Sequence, residues 1–333
     1  MIRIRYRALL HFGAVTALIA PAIVYAAEIR QLPDPELAWE HRDFRPVEEW
    51  LAQRKPADST EVEVLRARAW LARQSGESER ALELIDQAIE RAPDSADLRV
   101  DRASFRSDLL EEAGPFRSLR IARDIRDDLE HAVSVSPDHV DALVALASFH
   151  QRAPGIAGGN AHYAEDLMEG LEQIAPGRMH LREAMQLARR ERYDEAAARM
   201  SLAIDTADRI RPKWYLRKGR WLLELERSIE AAQCFEHALD KAPRFGPALY
   251  ELGRLAGQGE VDPDKGVTAL RRYLELPRWP DDPAHALAWL HLGKIQARLG
   301  ADVEARSAFE RALELDPDLD KARQALNRLS TSR

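Results

Sequence analysis

One cysteine, Cys234, stands in 333 residues. No internal disulfide and no zinc site built from several thiolates is therefore available. Glycine (16) and proline (18) are each about 5% of the chain, too sparse for an all-β fold with a turn every ten residues. Excess positive charge is missing as well. Forty-nine basic residues face fifty-six acidic ones, a net charge of −7, which argues against a general nucleic-acid binder. The motifs of common chemistries are absent too: no Gly-x-Ser-x-Gly, no His-Glu-x-x-His, and no Lys-Ser/Thr after a glycine-rich loop. What fills the chain is Ala, Leu, Arg and Glu, the strongest helix formers. With 32% charged and 45% hydrophobic residues, it reads as neither a disordered chain nor a polytopic membrane protein.

The first 26 residues read as an export signal. Arg3, Arg5 and Arg7 precede an apolar stretch from Ala8 to Val24, and Val24-Tyr25-Ala26 offers small residues for cleavage before Ala27. The stretch is about 17 residues, against the ~20 of a spanning helix. An uncleaved inner-membrane anchor is the alternative, and it would be the chain's only membrane contact. Either way the basic end stays inside, and the remainder is expected in the periplasm. Loss of the three arginines moves the net charge from −7 to −10.

The remainder repeats itself. With residue 286 as position 1, Trp289, Leu292, Gly293, Ala305, Phe309, Ala312 and Pro317 fall at positions 4, 7, 8, 20, 24, 27 and 32. Residues 212–245 repeat the spacing with Tyr215, Gly219, Ala231, Phe235, Ala238 and Pro243, and residues 62–95 with Leu65, Ala69, Ala81, Ile85, Ala88 and Pro93. Small residues sit where two antiparallel helices come closest, larger ones fill the gaps, and the proline ends the second helix. This spacing resembles the tetratricopeptide repeat. Weaker copies cover 140–178, 177–210 and 246–279, and 96–139 reads as a long hairpin whose second helix runs from about Pro115 to Val135.

The resemblance implies an all-α, right-handed superhelical solenoid of about seven hairpins over 59–333, with a continuous core and a capping helix at 320–333. Residues 27–58 read as a loosely packed leader with a short helix around Val47–Gln53, and Pro277–Pro283 as a flexible joint. Ala153-Pro154-Gly155-Ile156-Ala157-Gly158-Gly159 (loop insertion 153–159) resembles a loop in a group of exported bacterial tetratricopeptide proteins, including the component associated with some TRAP solute transporters. That resemblance implies an exported scaffold without cofactor or catalysis, or alternatively a ligand-holding accessory of a solute-uptake system.

Several constellations have two readings. The glycine-rich loop can be a phosphate cradle, or a stretched turn with Asn160 capping the next helix. Asp124, Asp127, Asp128 and His131 can be metal ligands, or a salt-bridged face with the interspersed arginines. Cys234, beside Phe235, reads as a buried, inert thiol.

The candidate binding surface is the inner face, which positions 2, 5, 9 and 12 of each first helix line. Lys213 falls at position 2, Tyr250 and Leu290 at position 5, and Arg220, Arg254 and Lys294 at position 9. Arg189 and Arg298 follow at position 13. A ladder of cations on an acidic protein points to an acidic protein or peptide segment as partner. The alternative is that the cations pair with acids on neighbouring turns.

Overall fold

A computed structural model describes residues 33–331 except 56, 57, 59 and 208. The proposed signal at 1–26, the first residues of the leader and the last two of the capping helix lie outside the described residues. Among those described, the regular structure is wholly helical. Two short helices come first: α1 (Pro35–His41) and α2 (Arg45–Ala52). Seven antiparallel hairpins follow: α3 (Val62–Gln74) with α4 (Ser78–Arg91), α5 (Ala96–Asp108) with α6 (Pro115–Val135), α7 (Val140–Arg152) with α8 (Ala161–Ile174), α9 (Pro176–Arg189) with α10 (Tyr193–Asp205), α11 (Pro212–Glu224) with α12 (Ser228–Lys241), α13 (Gly246–Gln258) with α14 (Pro263–Leu274), and α15 (His285–Arg298) with α16 (Asp302–Leu315). A last helix, α17 (Asp320–Thr331), closes the α-solenoid.

Local chemistry sets these limits. Asp34, Ser95, His139 and Asn160 each accept a backbone N–H of the first helical turn that follows them. Within six hairpins the turn from first helix to second contains a left-handed residue: Gly76, Gly158, Glu191, Glu226, Gly259 and Gly300. The two glutamates adopt that conformation at a cost of about 1–2 kcal/mol each. Two hairpins have longer turns. Gly114-Pro115 starts the long α6, and residues 153–159 form a 3-10 turn before Asn160. A Cβ on Gly159 would fall onto the Ala153 carbonyl, and Arg123 donates to the Ile156 carbonyl at 3.0 Å. The glycine-rich loop is thus a tight turn tied to α6.

Hairpin packing follows the repeat. Gly219, Gly253 and Gly293 face Phe235, Leu270 and Phe309 across each pair, so closely that a Cβ at any of them would collide with the opposing side chain. The buried apolar residues, however, form several clusters instead of one unbroken core. Half-buried Val133, Tyr215, Leu287 and Trp289 bridge some of them. Elsewhere charge takes the interior. Asp128 is only 2% exposed and accepts from Arg99, Arg102 and Arg106. Asp101 accepts from Arg66 at 2.6 Å and from the Trp70 indole at 3.0 Å. The carboxylate read as a possible metal ligand is therefore occupied by arginines.

Two further readings need correction. Residues 33–55 are no loose leader: Ala38, Phe44, Val47 and Trp50 are buried in one cluster with α3 and α4. The segment 277–283 is no free joint either. Trp279 packs against Trp39 at 5.0 Å between ring centroids, and Asp282 accepts from the Trp279 backbone N–H. Apolar burial holds α1 in place, and α1 in turn holds the segment.

Candidate functional site

Helix α1 lies against α3 and α11. Trp39 meets Trp70 of α3, with the Arg73 guanidinium over its ring. Glu40, facing the other way, accepts from Arg211 at 2.6 Å and from Lys213 at 2.7 Å. Arg211 also bonds Glu36 and Asp141, and Asp141 is shared with Arg178. Arg42, left-handed at the end of α1, pairs with Asp281 and Asp282 and stacks over Trp279. Burial pushes the Glu36 and Asp282 carboxyls up, while burial and the Arg211 charge press Arg178 down. The acidic residues of α1 thus already pair with Arg211 and Lys213, one of the cations expected to bind a partner.

The sequence-predicted cations do not form one ladder. Arg220 and Arg254 both donate to Glu251, at 3.0 and 2.8 Å. Glu251 stands at position 6 of α13, three residues before Arg254, and reaches across to α11. It neutralises two rungs. Tyr250 packs against Tyr273 and His291 and is 7% exposed, and Leu290 is 1% exposed. Neither offers a free apolar surface. Arg189 lines a separate hollow between α7, α8 and α9. Lys294 and Arg298 line another beside α17.

Lys213 and Arg220 do come together with unforeseen residues. A cavity of about 530 Å³ is walled by Trp39, Phe245 and Trp279, with Lys213, Arg217, Arg220 and Arg42 among its cations and Glu40 and Asp281 as its acids. Arg217 differs from its neighbours. Its guanidinium donates to the Met185 sulfur at 2.9 Å, and among the described residues it has no carboxylate partner. Burial, then the Arg220 charge, hold it below the usual arginine range. Chemically the cavity can hold an anionic group against aromatic walls. Asp34, Glu36 and Glu40 were visible in the sequence as a cluster of acids on one short segment, but nothing there placed them against Arg211. Cys234, finally, is a buried thiol pushed up by burial.

Among curated proteins no sequence matches this one. Solved structures give distant likenesses. YrrB, described as a TPR protein with an unusual peptide-binding site, is 16% identical, with 72% of this chain and 96% of that one aligned at a TM-score of 0.36. The APC/C hetero-tetramer Cut9-Hcn1 is 17% identical over 88% of this chain and 54% of that one, at 0.49. PilF of Pseudomonas aeruginosa is 14% identical over 84% and 100%, at 0.43. The tetratricopeptide repeat family model matches residues 66–106 and 261–320. At both ends of its helical array, then, this chain carries tetratricopeptide repeats.

Proposed function

We propose that this chain is an exported, non-catalytic scaffold that holds an acidic segment of a partner protein in the cavity between α1, α11 and residues 279–283. One observation carries the reading: Arg217 lines an aromatic-walled cavity and has no carboxylate partner among the described residues. Lys213 and Arg220, each one turn away on the same helix, line the cavity as well, each already sharing a carboxylate of the chain, Glu40 and Glu251. Each such pair contributes only about 0.2–1 kcal/mol where solvent reaches it. Affinity then depends on several pairs together with contact against Trp39, Phe245 and Trp279. Export follows from the basic, apolar and small-residue order of the first 26 residues.

The test is titration of the protein with an Asp/Glu-rich peptide while tryptophan fluorescence is followed. Binding should weaken as salt rises, because exposed pairs are screened within ~10 Å at 0.1 M. Arg217→Glu should weaken it by about fivefold or more, since it removes one pair and adds a repulsion, whereas Arg117→Glu at the exposed start of α6 should not. Equal binding by both variants would sink the reading. N-terminal sequencing of the envelope-fraction protein checks export, with Ala27 as the expected first residue.

A further inference from the structure

We infer that the C-terminal end of the array holds a second site, for an oxyanion carried on an apolar group. The site lies between α15 and α17 and shares no lining residue with the cavity around Arg217. It stands independently of the reading above.

Lys294 and Arg298 are one turn apart on α15, and Lys321 and Gln324 are one turn apart on α17. Between them is a cavity of about 380 Å³ with no acidic side chain in its walls. Arg298 is held in place by donating to the Ala256 carbonyl at 2.6 Å, at the end of α13. Among the described residues neither Lys294 nor Lys321 has a carboxylate partner. Both charges act on the groups around them. Burial, then the Lys321 charge, press Lys294 below the usual lysine range. His291, buried beneath, is brought down to about 4 by burial and by Lys294, Arg254 and Lys321. Like charges gathered around a hollow oppose folding unless an anion answers them.

The remaining wall sets the rest of the ligand. Half-buried Ala297, Ala325 and Leu329, laid over the buried Phe309, form an apolar floor. The hollow falls at the small end of the ~300–1,000 Å³ typical of small-molecule sites, so it has room for more than a bare carboxylate. An oxyanion head among the cations with an apolar body on Ala297, Ala325 and Leu329 fits both halves. Two sources share that chemistry: the free C-terminus of a peptide ending in an apolar residue, and a small organic acid.

Calorimetric titration of the full chain separates them, with octanoate, N-acetyl-Ala-Ala-Leu and the C-terminal amide of that peptide as probes. The expected result is one-to-one binding of octanoate or the free-acid peptide, with a Kd of about 1 mM or tighter, and binding of the amide at least about tenfold weaker. Whichever acid binds names the source. Lys294→Gln with Lys321→Gln should weaken binding by about fivefold or more. Arg117→Gln with Arg120→Gln, which removes the same charge from α6, should not. Bound anion should also raise the His291 pKa, read by proton NMR. If neither acid binds, if the amide binds equally, or if the lysine double variant keeps full affinity, the site does not exist.

Discussion

Arg211 and Glu40 meet at 2.6 Å across 171 positions of sequence, both nearly buried. The pair joins the helix before the first repeat to the start of the fifth. It has company: Lys213 shares Glu40, and Glu36 and Asp141 share Arg211. A buried ion pair gives little net stability, but removing one partner leaves a charge stranded.

Glu40→Ala should therefore cost about 2–3 kcal/mol, less than the ~3–5 of a fully isolated pair because Glu36 and Asp141 still face Arg211. Urea unfolding measures it. Hydrogen exchange should rise in α1, α2 and residues 279–283 before it rises in α9 and α10. A loss under about 0.5 kcal/mol would mean that the rings of Trp39 and Trp279 alone hold α1.

How much of this was legible follows from the range of the interactions. The hairpins were readable because their contacts are local. Gly219 against Phe235 and Gly293 against Phe309 recur at fixed spacing, and the Gly114-Pro115 break marked the start of α6 at its actual residue. The position of α1 was not readable. It depends on Glu40 reaching Arg211 and Arg42 reaching Asp281, and no spacing rule links residues so far apart. The cation ladder was half readable. Its residues recur at one repeat position, but Glu251 at position 6 draws in two of them, which only geometry reveals.

Asp128 should be the most sensitive carboxylate in the long hairpin. Arg99, Arg102 and Arg106 all point at it from α5, and it is 2% exposed. Asp128→Ala would leave Arg99 and Arg106 without a carboxylate among the described residues and Arg102 with Asp86 alone, at a cost of about 3 kcal/mol. Thermal unfolding compared with Asp127→Ala, an exposed neighbour, gives the contrast. Equal effects from the two would contradict the network.

Two glycine substitutions should act in opposite directions. A Cβ at Gly253 would overlap the Leu270 side chain, so Gly253→Ala should overpack the sixth hairpin by about 1–3 kcal/mol. Gly170 sits exposed within α8 with nothing near it. Gly170→Ala should instead stabilise the protein by about 0.5–1 kcal/mol, by relieving the helix of a flexible residue. Chemical denaturation of each variant decides it, and a stabilising Gly253→Ala would refute the close approach.

His291 predicts a pH dependence with a definite sign. Burial, then the charges of Lys294, Arg254 and Lys321, lower its folded pKa from 6.5 to about 4. Between those values the unfolded chain binds a proton that the folded chain refuses, so stability must fall as pH drops from about 6.5 and level off below about 4. At 1.36 kcal/mol per pKa unit, the loss from this one group is about 2–3 kcal/mol by pH 4.5. Carboxylates and other histidines titrate in the same range, so the comparison is with His291→Leu, which keeps everything else. The stability difference between the two proteins should move in favour of the leucine variant by that amount between pH 7.5 and 4.5. A difference that stays constant over the range would show that His291 is free to take up its proton, and that the positive charge around it is already answered from within the chain.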